Sequence, residues 1–315
     1  MQSIRMGYDE EGKSDESRTD DPYLFDLDQH GFPVFTEKNL RFVNAMIKNN
    51  SAYNLVDDDK LRTMYGGVFA SDKEKIMQAV YLTDKVNSTH LSVLGLNYSR
   101  AVKDKIIEKV AEEYTVPDPG DPNKKKIKLK NGRFLTARGI IENADRLVDW
   151  ISSEDDDKNS QAIFEIAHYS ENSIKELGLE SFSRNNFSFA TKFCHHLCVK
   201  GGRGDKYCIY DSVVGEVLPY YIWAYSEDSD LEGKSYSDLK EMVSECVDDD
   251  KPDKSYKHFR KYCKSVITGI ERWRQEQNPK IQGEISFQDV DRLIWYYFKG
   301  RRLAHARKQF ENLPE

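Results

Sequence analysis

Apolar side chains recur every three or four positions along most of this 315-residue chain, which predicts that the protein is mainly helical. The first such stretch begins near Thr36 and places Phe42, Ala45 and Met46 on one face of a helix. The same spacing predicts further helical segments within residues 68–82, 106–111, 140–174, 185–200, 211–224, 255–275 and 287–310.

One short region has the pattern of a β-hairpin instead. Residues 116–122, VPDPGDP, contain three prolines and one glycine and should interrupt any helix. In residues 127–136, polar and apolar positions alternate on both sides of Asn131-Gly132, a pair that favours a two-residue turn. We therefore expect a mainly α fold with one small β-hairpin at 127–136.

Length and composition indicate a protein of two lobes. The 315 residues exceed the roughly 100–200 residues of a typical domain, and 15 Phe, 18 Tyr and 4 Trp can fill a substantial core. Residues 1–22 are rich in Asp, Glu and Ser and poor in branched apolar side chains, so we expect a disordered acidic arm there. We expect the rest to form an N-terminal helical lobe at 23–135 and a second helical lobe at 136–315.

Several classes of protein are disfavoured. No segment is apolar for long enough to cross a bilayer, and the N-terminus lacks a secretory pattern, so we expect no membrane association. Five cysteines at irregular spacing do not form a disulfide framework, which favours a cytoplasmic location. The sequence contains no P-loop, GxGxxG, GxSxG or HExxH motif, so nucleotide hydrolysis and serine or zinc hydrolase chemistry have no support. We also expect no metal and no small-molecule cofactor.

A cluster of Cys and His residues raises the question of a metal site. It comprises Cys194, His195, His196, Cys198 and Cys208. Adjacent histidines point about 100° apart on a helix, and the cluster has no CxxC pair. Cys194 and Cys198 instead fit the buried face of a helix, so we expect no metal.

Charge is distributed unevenly along the chain. The net charge is -7, but residues 1–30 alone carry 3 basic and 9 acidic side chains. Residues 251–315 carry 15 basic and 8 acidic side chains, and residues 123–133 carry six basic side chains and no acidic one. These segments fit either a polyanionic partner or ordinary solvated helix faces, and charge alone leaves both readings open.

The segment from Arg184 to Ser212 contains the residues with the clearest chemistry. Lys192 lies off the apolar stripe of its predicted helix, so it is not a core position. Asp211 follows the apolar residues Cys208, Ile209 and Tyr210 and opens the next predicted helix, where its carboxylate is suited to cap free backbone N–H groups. The two residues are 19 positions apart.

This arrangement resembles the helix-hairpin-helix DNA glycosylase superfamily, most closely its 8-oxoguanine glycosylase branch. Members of that branch place a catalytic lysine early in one helix and, after a comparable interval, an aspartate at the start of the following helix. The segment from Val290 to Trp295 is similar to the start of the terminal helix that helps to wall the base pocket. The resemblance covers about residues 140–310 and implies a two-lobed helical glycosylase-like fold.

The implied chemistry suits both residue types. Removal of a base from deoxyribose builds positive charge on the sugar, which a carboxylate such as Asp211 would stabilise while it also handles protons. The Lys192 amine would act as nucleophile and form a Schiff base, which leads to strand cleavage. The base must leave the duplex stack to react, so an aromatic pocket is needed, and Tyr210, Trp295 and Tyr296 are the candidates.

The family's hairpin normally has two glycines just before the lysine helix, and this chain departs from that pattern. Its residues there are Arg184-Asn185-Asn186-Phe187-Ser188. Asn and Ser side chains can bind phosphate, and Asn tolerates left-handed backbone geometry. The Gly- and Lys-rich loop at 200–206 offers a second phosphate contact. The predicted DNA-binding residues are Arg184, Asn185, Asn186, Ser188, Lys200, Arg203 and Lys206.

Three functions follow from these observations. The first is a DNA glycosylase, with or without AP lyase activity, that removes an oxidised or otherwise modified base from double-stranded DNA. The alternative is a catalytically silent DNA-binding or interaction protein that keeps the glycosylase-like fold, for example in genome or phage defence. A helical scaffold without a nucleic-acid partner is the third, and it predicts no salt-dependent affinity for DNA.

Overall fold

The chain is mainly helical over the residues that the computed structural model describes, as the apolar spacing predicts. The described residues are 25–49, 115–118, 121–127, 136, 139–140, 142–176, 186–200, 204–247, 256–279, 283–298, 301–310 and 313. The predicted acidic arm at 1–22 and the periodic stretches at 68–82 and 106–111 lie outside them. Within these ranges, no helix is long and apolar enough to span a membrane.

Nine helices occur within the described ranges. They are α1 (Glu37–Asn49), α2 (Ala144–Ser152), α3 (Asp156–Glu176), α4 (Phe187–Lys200), α5 (Ser212–Tyr225), α6 (Tyr236–Glu245), α7 (Tyr256–Gln277), α8 (Phe287–Phe298) and α9 (Arg301–Phe310). The predicted helices at 185–200, 211–224 and 255–275 are confirmed to within two residues at each end.

Two strands, β1 (Thr115–Asp118) and β2 (Asp121–Ile127), form an antiparallel pair. Thr115 lies opposite Ile127, and the register shifts between Pro117 and Asp118. The expected interruption of helix at 116–122 is therefore confirmed. The predicted hairpin turn at Asn131-Gly132 lies outside the described residues and stays a prediction, although Thr136, its expected last residue, is helical.

Three predicted details of the helices were wrong. The single helix expected at 287–310 is divided into α8 and α9, and the intervening sequence contains Gly300, which disfavours helix. Helix α6 was not predicted, although Ser235 and Asp238 form a capping box at its start. In α1 the buried face contains Asn39 and Val43, whereas Ala45 is exposed.

Asn39 explains the orientation of α1. Its side-chain amide donates hydrogen bonds to the carbonyl oxygens of Val34 (2.7 Å) and Asp26 (2.8 Å), and its side-chain oxygen accepts one from the N–H of Asp26 (2.9 Å). A buried amide with these partners offsets its own desolvation, so this side of α1 faces inward.

The described residues group into two compact units that are discontinuous along the chain. The first unit contains residues 25–49, 208–247, 258–279, 283–298, 301–310 and 313. The second unit contains residues 115–118, 121–127, 136, 139–140, 142–176, 186–200, 204–207 and 256–257. The predicted lobes at 23–135 and 136–315 are continuous along the chain, and this division stays a prediction.

The first unit has a core rich in aromatic side chains. Residues 25–35 form a turn with an isolated bridge between Leu27 and Pro33. Tyr221 donates a hydrogen bond to the carbonyl of Pro33 (2.8 Å), Tyr297 donates one to the carbonyl of Gly31 (3.2 Å), and Tyr220 donates one to the carboxylate of Asp28. Three tyrosines from α5 and α8 therefore attach this turn to the helices.

The second unit packs α2, α3 and α4 around a buried apolar core. From α4, the core receives Ala190, Phe193, Cys194, Leu197 and Cys198, as the apolar spacing predicts. The hydroxyl of the buried Tyr207 donates a hydrogen bond to the carbonyl of Ile151 (3.2 Å), which ties the loop after α4 to the end of α2.

Candidate functional site

Asp211 begins helix α5 and caps it, as predicted. Its backbone is extended (φ −144°, ψ −179°), and its Oδ1 accepts hydrogen bonds from the N–H groups of Val213 and Val214, each at 2.9 Å. The residue is 8% exposed and follows the buried residues Cys208 and Ile209. Because two backbone donors hold Oδ1, the carboxylate is fixed at the positive end of the helix.

Tyr210 lies beside this cap in a constrained position. Its ring makes an edge contact with the ring of Phe259 at a centroid distance of 5.4 Å. Its hydroxyl lies so close to Gly215 that a Cβ added to that glycine would be only 2.7 Å from the hydroxyl oxygen. Burial, with smaller contributions from Cys246, Asp211 and Glu216, raises the pKa of Tyr210 to about 12. The phenol is therefore neutral at physiological pH and its ring is packed over the first turn of α5.

Lys192 lies on the half-exposed side of α4. Ser188, Lys192 and His196 are all half-exposed and are spaced one helical turn apart, whereas Thr191, Phe193 and Cys194 are buried. The expectation that Lys192 is not a core residue is confirmed. His196 shares the Lys192 face, which places a second titratable side chain one turn away.

His195, three positions after Lys192 on α4, is buried and only 1% exposed. Its Nδ1 is 2.6 Å from the carbonyl oxygen of Tyr207 and 3.3 Å from Oδ1 of Asp205. A carbonyl oxygen can only accept, so Nδ1 carries the hydrogen. Its ring also makes an edge contact with the ring of His196 at 5.2 Å, which helps to position His196.

The Cys and His cluster does not provide a metal site in the part of the chain that the structure describes. No group of three His, Cys, Asp or Glu side chains there is arranged to hold an ion. Cys194, Cys198 and Cys208 are buried, and burial raises the pKa of the Cys194 thiol well above its ordinary value. A buried neutral thiol is a poor ligand and a poor nucleophile, so Cys194 serves the core.

The predicted phosphate-binding residues before α4 are described only in part. Arg184 and Asn185 lie outside the described residues. The backbone N–H of Asn186 donates to the carbonyl of Ala167 (3.2 Å), and its side-chain amide donates to Oγ1 of Thr136 (3.3 Å). Ser188 is half-exposed in the first turn of α4. Asn186 therefore has a structural role, and phosphate binding by these residues stays a prediction.

The second predicted phosphate contact, in the loop after α4, contains one side chain with a clear partner. The ammonium of Lys206 donates to the carbonyl of Ser152 (3.2 Å) and forms an ion pair with Glu154. Its side chain is only 16% exposed. Arg203 and the side chain of Lys200 lie outside the described part of the chain. Lys206 thus connects this loop to the end of α2.

Two of the predicted base-pocket residues lie in α8. Trp295 and Tyr296 are half-exposed, and the ring of Tyr296 packs against Phe25 (6.4 Å) and Phe42 (6.1 Å). Tyr296 therefore helps to hold the N-terminal segment of the first unit. A role for these side chains in base binding stays a prediction.

The predicted catalytic pair is divided between the two units. Lys192 belongs to the second unit and Asp211 to the first. The structure confirms the helical setting of each residue within its own unit. That the two side chains face one cleft stays a prediction.

Sequence reasoning missed two features close to these residues. One is the placement of His196 on the Lys192 face, which the four-residue spacing in the sequence could have indicated. The other is the ion-pair cluster in which Lys240 (3.0 Å) and Arg307 (3.2 Å) share one oxygen of Glu216. No local pattern predicts this cluster, because its members are far apart in sequence.

Comparisons of the chain with protein-family models, with curated proteins and with solved structures found no match. The resemblance to DNA glycosylases therefore depends only on the spacing and setting of Lys192 and Asp211 and on the aromatic helix α8.

Proposed function

We propose that this protein is a DNA glycosylase that removes an oxidised or otherwise modified base from double-stranded DNA in the cytoplasm. Asp211 is the residue that carries the proposal. Its carboxylate is nearly buried and is held at the N-terminus of α5 by two backbone N–H groups. An anion fixed in this way can stabilise a sugar cation without reorganising during the reaction.

Lys192 is the proposed nucleophile. Its half-exposed position on α4 allows the amine to reach a bound sugar, attack C1′ and displace the base. Opening of the sugar ring then gives a Schiff base, whose elimination breaks the DNA strand in the AP lyase step. His196, one turn along the same face, is the proposed group for proton transfer to and from the amine.

Other predicted residues have supporting roles in this proposal. Tyr210, Trp295 and Tyr296 form the base pocket, and residues 184–188 with the loop at 200–206 contact phosphates. The reaction uses protein side chains alone and needs no metal or small-molecule cofactor.

Borohydride trapping on a panel of duplexes tests the proposal. The panel contains 8-oxoguanine, uracil, hypoxanthine, alkylated purines, modified pyrimidines and an abasic site. Wild-type protein should form a covalent adduct with one or more of these duplexes, and Lys192→Gln should form none. Lys158→Gln is the control, because Lys158 is an exposed lysine of the second unit whose ammonium lies 3.6 Å from the carboxylate of Asp149.

The outcomes separate the steps of the proposed reaction. An adduct that is lost in Lys192→Gln but kept in Lys158→Gln establishes the Schiff base and names the substrate class. Base release without trapping leaves a glycosylase without lyase activity, in which Lys192 is not the nucleophile. If none of the duplexes loses a base, the proposed enzyme activity is wrong.

The alternative is a catalytically silent DNA-binding or interaction protein with a glycosylase-like fold, and one observation favours its interaction-protein form. Lys206, predicted to contact phosphate, is bound to Glu154 and to the carbonyl of Ser152. Lys206, in the second predicted phosphate contact, is thus engaged in an internal contact. Unchanged DNA affinity in Lys192→Gln and Asp211→Asn, with no base release by the wild type, would support this alternative.

A further inference from the structure

Helix α9 is amphipathic, with an apolar side that is already buried. Ala306 and Phe310 are buried, and the Phe310 ring packs at 4.9 Å from Phe32, 5.3 Å from Tyr220 and 4.9 Å from Tyr236. These contacts attach α9 to the core of the first unit. The other side of the helix therefore faces outward in this unit.

That outward side is basic. The sequence of α9, RRLAHARKQF, contains four Lys or Arg residues, one His and no acidic residue. His305, Arg307 and Lys308 are exposed, and Ala304 is the exposed apolar residue between them. Arg301 occupies the helical position one turn before His305.

Helix α6 adds one more cation beside α9. Lys240 and Arg307 share a single oxygen of Glu216, at 3.0 and 3.2 Å. Burial alone would raise the pKa of Glu216, but its hydrogen bonds with Lys240 and Arg307 and their positive charges bring the pKa below its ordinary value. One carboxylate thus serves two cations, which leaves an excess of positive charge at this place.

Helix α7 shows that the basic C-terminal segment is not uniform. Lys261 pairs with both Asp228 (3.0 Å) and Asp230 (2.9 Å). Arg272 pairs with both Glu227 and Glu276. These cations of α7 each have two carboxylates, whereas two cations share one carboxylate beside α9. Within α9 itself there is no carboxylate to balance its basic residues, whereas α7 contains two glutamates.

We propose that the exposed face of α9, together with Lys240, binds the phosphodiester backbone of duplex DNA. A ten-residue helix is ~15 Å long, which matches the rise of about four nucleotides of one strand. Arginine and lysine are the side chains that neutralise phosphates, and arginine can bind one with two hydrogen bonds. This surface contacts phosphates and reads no base sequence.

Two other polyanionic partners fit the surface less well. A helix that binds a membrane inserts its apolar side into the lipid, but the apolar side of α9 is buried against Phe32, Tyr220 and Tyr236. A protein interface normally has a buried aromatic or aliphatic anchor at its centre. Among the described side chains of α9 that are not buried, the apolar ones are Ala304 and the half-exposed Leu303, beside the exposed His305, Arg307 and Lys308. A charged, wet interface with phosphates is therefore favoured.

The test measures the affinity of the full chain for a short unmodified DNA duplex at several salt concentrations. Arg307→Gln/Lys308→Gln should weaken binding about tenfold and reduce the slope of log affinity against log salt by about two. Lys261→Gln/Arg272→Gln on α7 is the matched control. It removes the same two charges from exposed residues, and its affinity and slope should stay near those of the wild type.

A second variant adds a charge without removing any contact. Ala304→Glu lies at the centre of the exposed face, so it should also weaken binding, and thermal unfolding should confirm that the fold is kept. Equal affinity and salt slope for both α9 variants and the α7 control would overturn the proposal. Binding of wild-type protein to phosphatidylserine vesicles through these residues, without binding to the duplex, would also overturn it.

The proposal does not depend on base excision. Binding of the wild type to an unmodified duplex involves no base release, and α9 contains none of the proposed catalytic residues. Intact binding to the duplex without any base release would therefore contradict only the proposed enzyme activity. If the α9 variants release base and bind the duplex as well as the wild type does, only the proposed DNA-binding role of α9 would be contradicted.

Discussion

The carbonyl oxygen of Tyr225, at the end of α5, lies so close to Gly269 of α7 that a Cβ on that glycine would be 1.7 Å away from it. Real atoms cannot approach so closely, so only glycine permits this crossing of the two helices. One turn earlier on α7, the hydroxyl of Ser265 is hydrogen-bonded to that of Ser226, which directly follows α5. This part of α7 therefore holds the C-terminal end of the helix that begins at Asp211.

Gly269→Ala should destabilise the protein by about 3 kcal/mol or more, because the obstructing atom is backbone and cannot rotate away. Chemical denaturation measures the change in the free energy of unfolding. Thr268→Ala is the control, since Thr268 is exposed on the same helix and alanine is the better helix former. A change below about 1 kcal/mol for Gly269→Ala would mean that the helices do not cross in this way.

The hydrogen bond between Tyr220 and Asp28 joins α5 to the N-terminal turn. The Asp28 carboxylate also accepts hydrogen bonds from the N–H groups of His30 (2.8 Å) and Phe32 (3.0 Å), so it stabilises the turn and its attachment together. In a double-mutant cycle of Tyr220→Phe and Asp28→Ala, we expect a coupling energy of about 1–2 kcal/mol.

Tyr297→Phe is the comparison for that cycle. Its hydroxyl donates to the carbonyl of Gly31 at 3.2 Å in an exposed setting, so its loss should cost less than about 1 kcal/mol. Additive effects of Tyr220→Phe and Asp28→Ala would show that the two side chains do not interact in solution.

The helices that could be predicted from the sequence are those with a local, regular apolar pattern. In α4, the spacing of Ala190, Cys194 and Cys198 gave both the helix and its buried face. The cap of α5 was also predictable, because an Asp that follows an apolar run and precedes a helix is a local signal. The missed helix α6 is short, and its capping box is formed by Ser235 and Asp238 rather than by the stronger Ser and Glu pattern.

Contacts between distant segments could not be predicted. The ring of Phe32 is buried against the rings of Tyr220, Phe298 and Phe310, all of which are far away in the sequence. The sequence of the loop after α4 is equally consistent with a phosphate contact and with the observed pairing of Lys206 with Glu154, 52 positions earlier. The partner of a charged residue is determined by the tertiary structure. The sequence alone therefore could not decide whether Lys206 contacts a phosphate or another residue of the chain.

Buried tyrosines should make the protein sensitive to alkaline pH. Burial raises the pKa of at least seven tyrosines: Tyr169, Tyr207, Tyr210, Tyr220, Tyr221, Tyr225 and Tyr262. For Tyr210 and Tyr262 the pKa is about 12, against about 10 in the unfolded chain. These groups stay protonated in the folded state after the unfolded chain has lost their protons.

The sign of the pH dependence follows from this difference. Above pH ~10 the folded state binds more protons than the unfolded chain. The stabilisation that these tyrosines contribute is therefore complete below pH ~10, and the free energy of unfolding falls as the pH rises toward 12. Each such tyrosine contributes a slope of up to about 1.4 kcal/mol per pH unit. Urea denaturation with absorbance at 295 nm measures both effects, and Tyr210→Phe should make the slope shallower. Ionisation of all tyrosines near pH 10 without unfolding would contradict the prediction.

Two substitutions at Asp211 separate capping of α5 from the proposed chemistry. Asparagine caps helices about as well as aspartate, so Asp211→Asn should change the free energy of unfolding little, whereas Asp211→Ala should lower it by about 1 kcal/mol. Both variants lack the carboxylate that would stabilise the sugar cation. If base release is measured on the duplex that the wild type cleaves, both should therefore be slower by about 10²–10³-fold. A variant Asp211→Asn that releases base at the wild-type rate would restrict Asp211 to capping and remove it from the proposed active site.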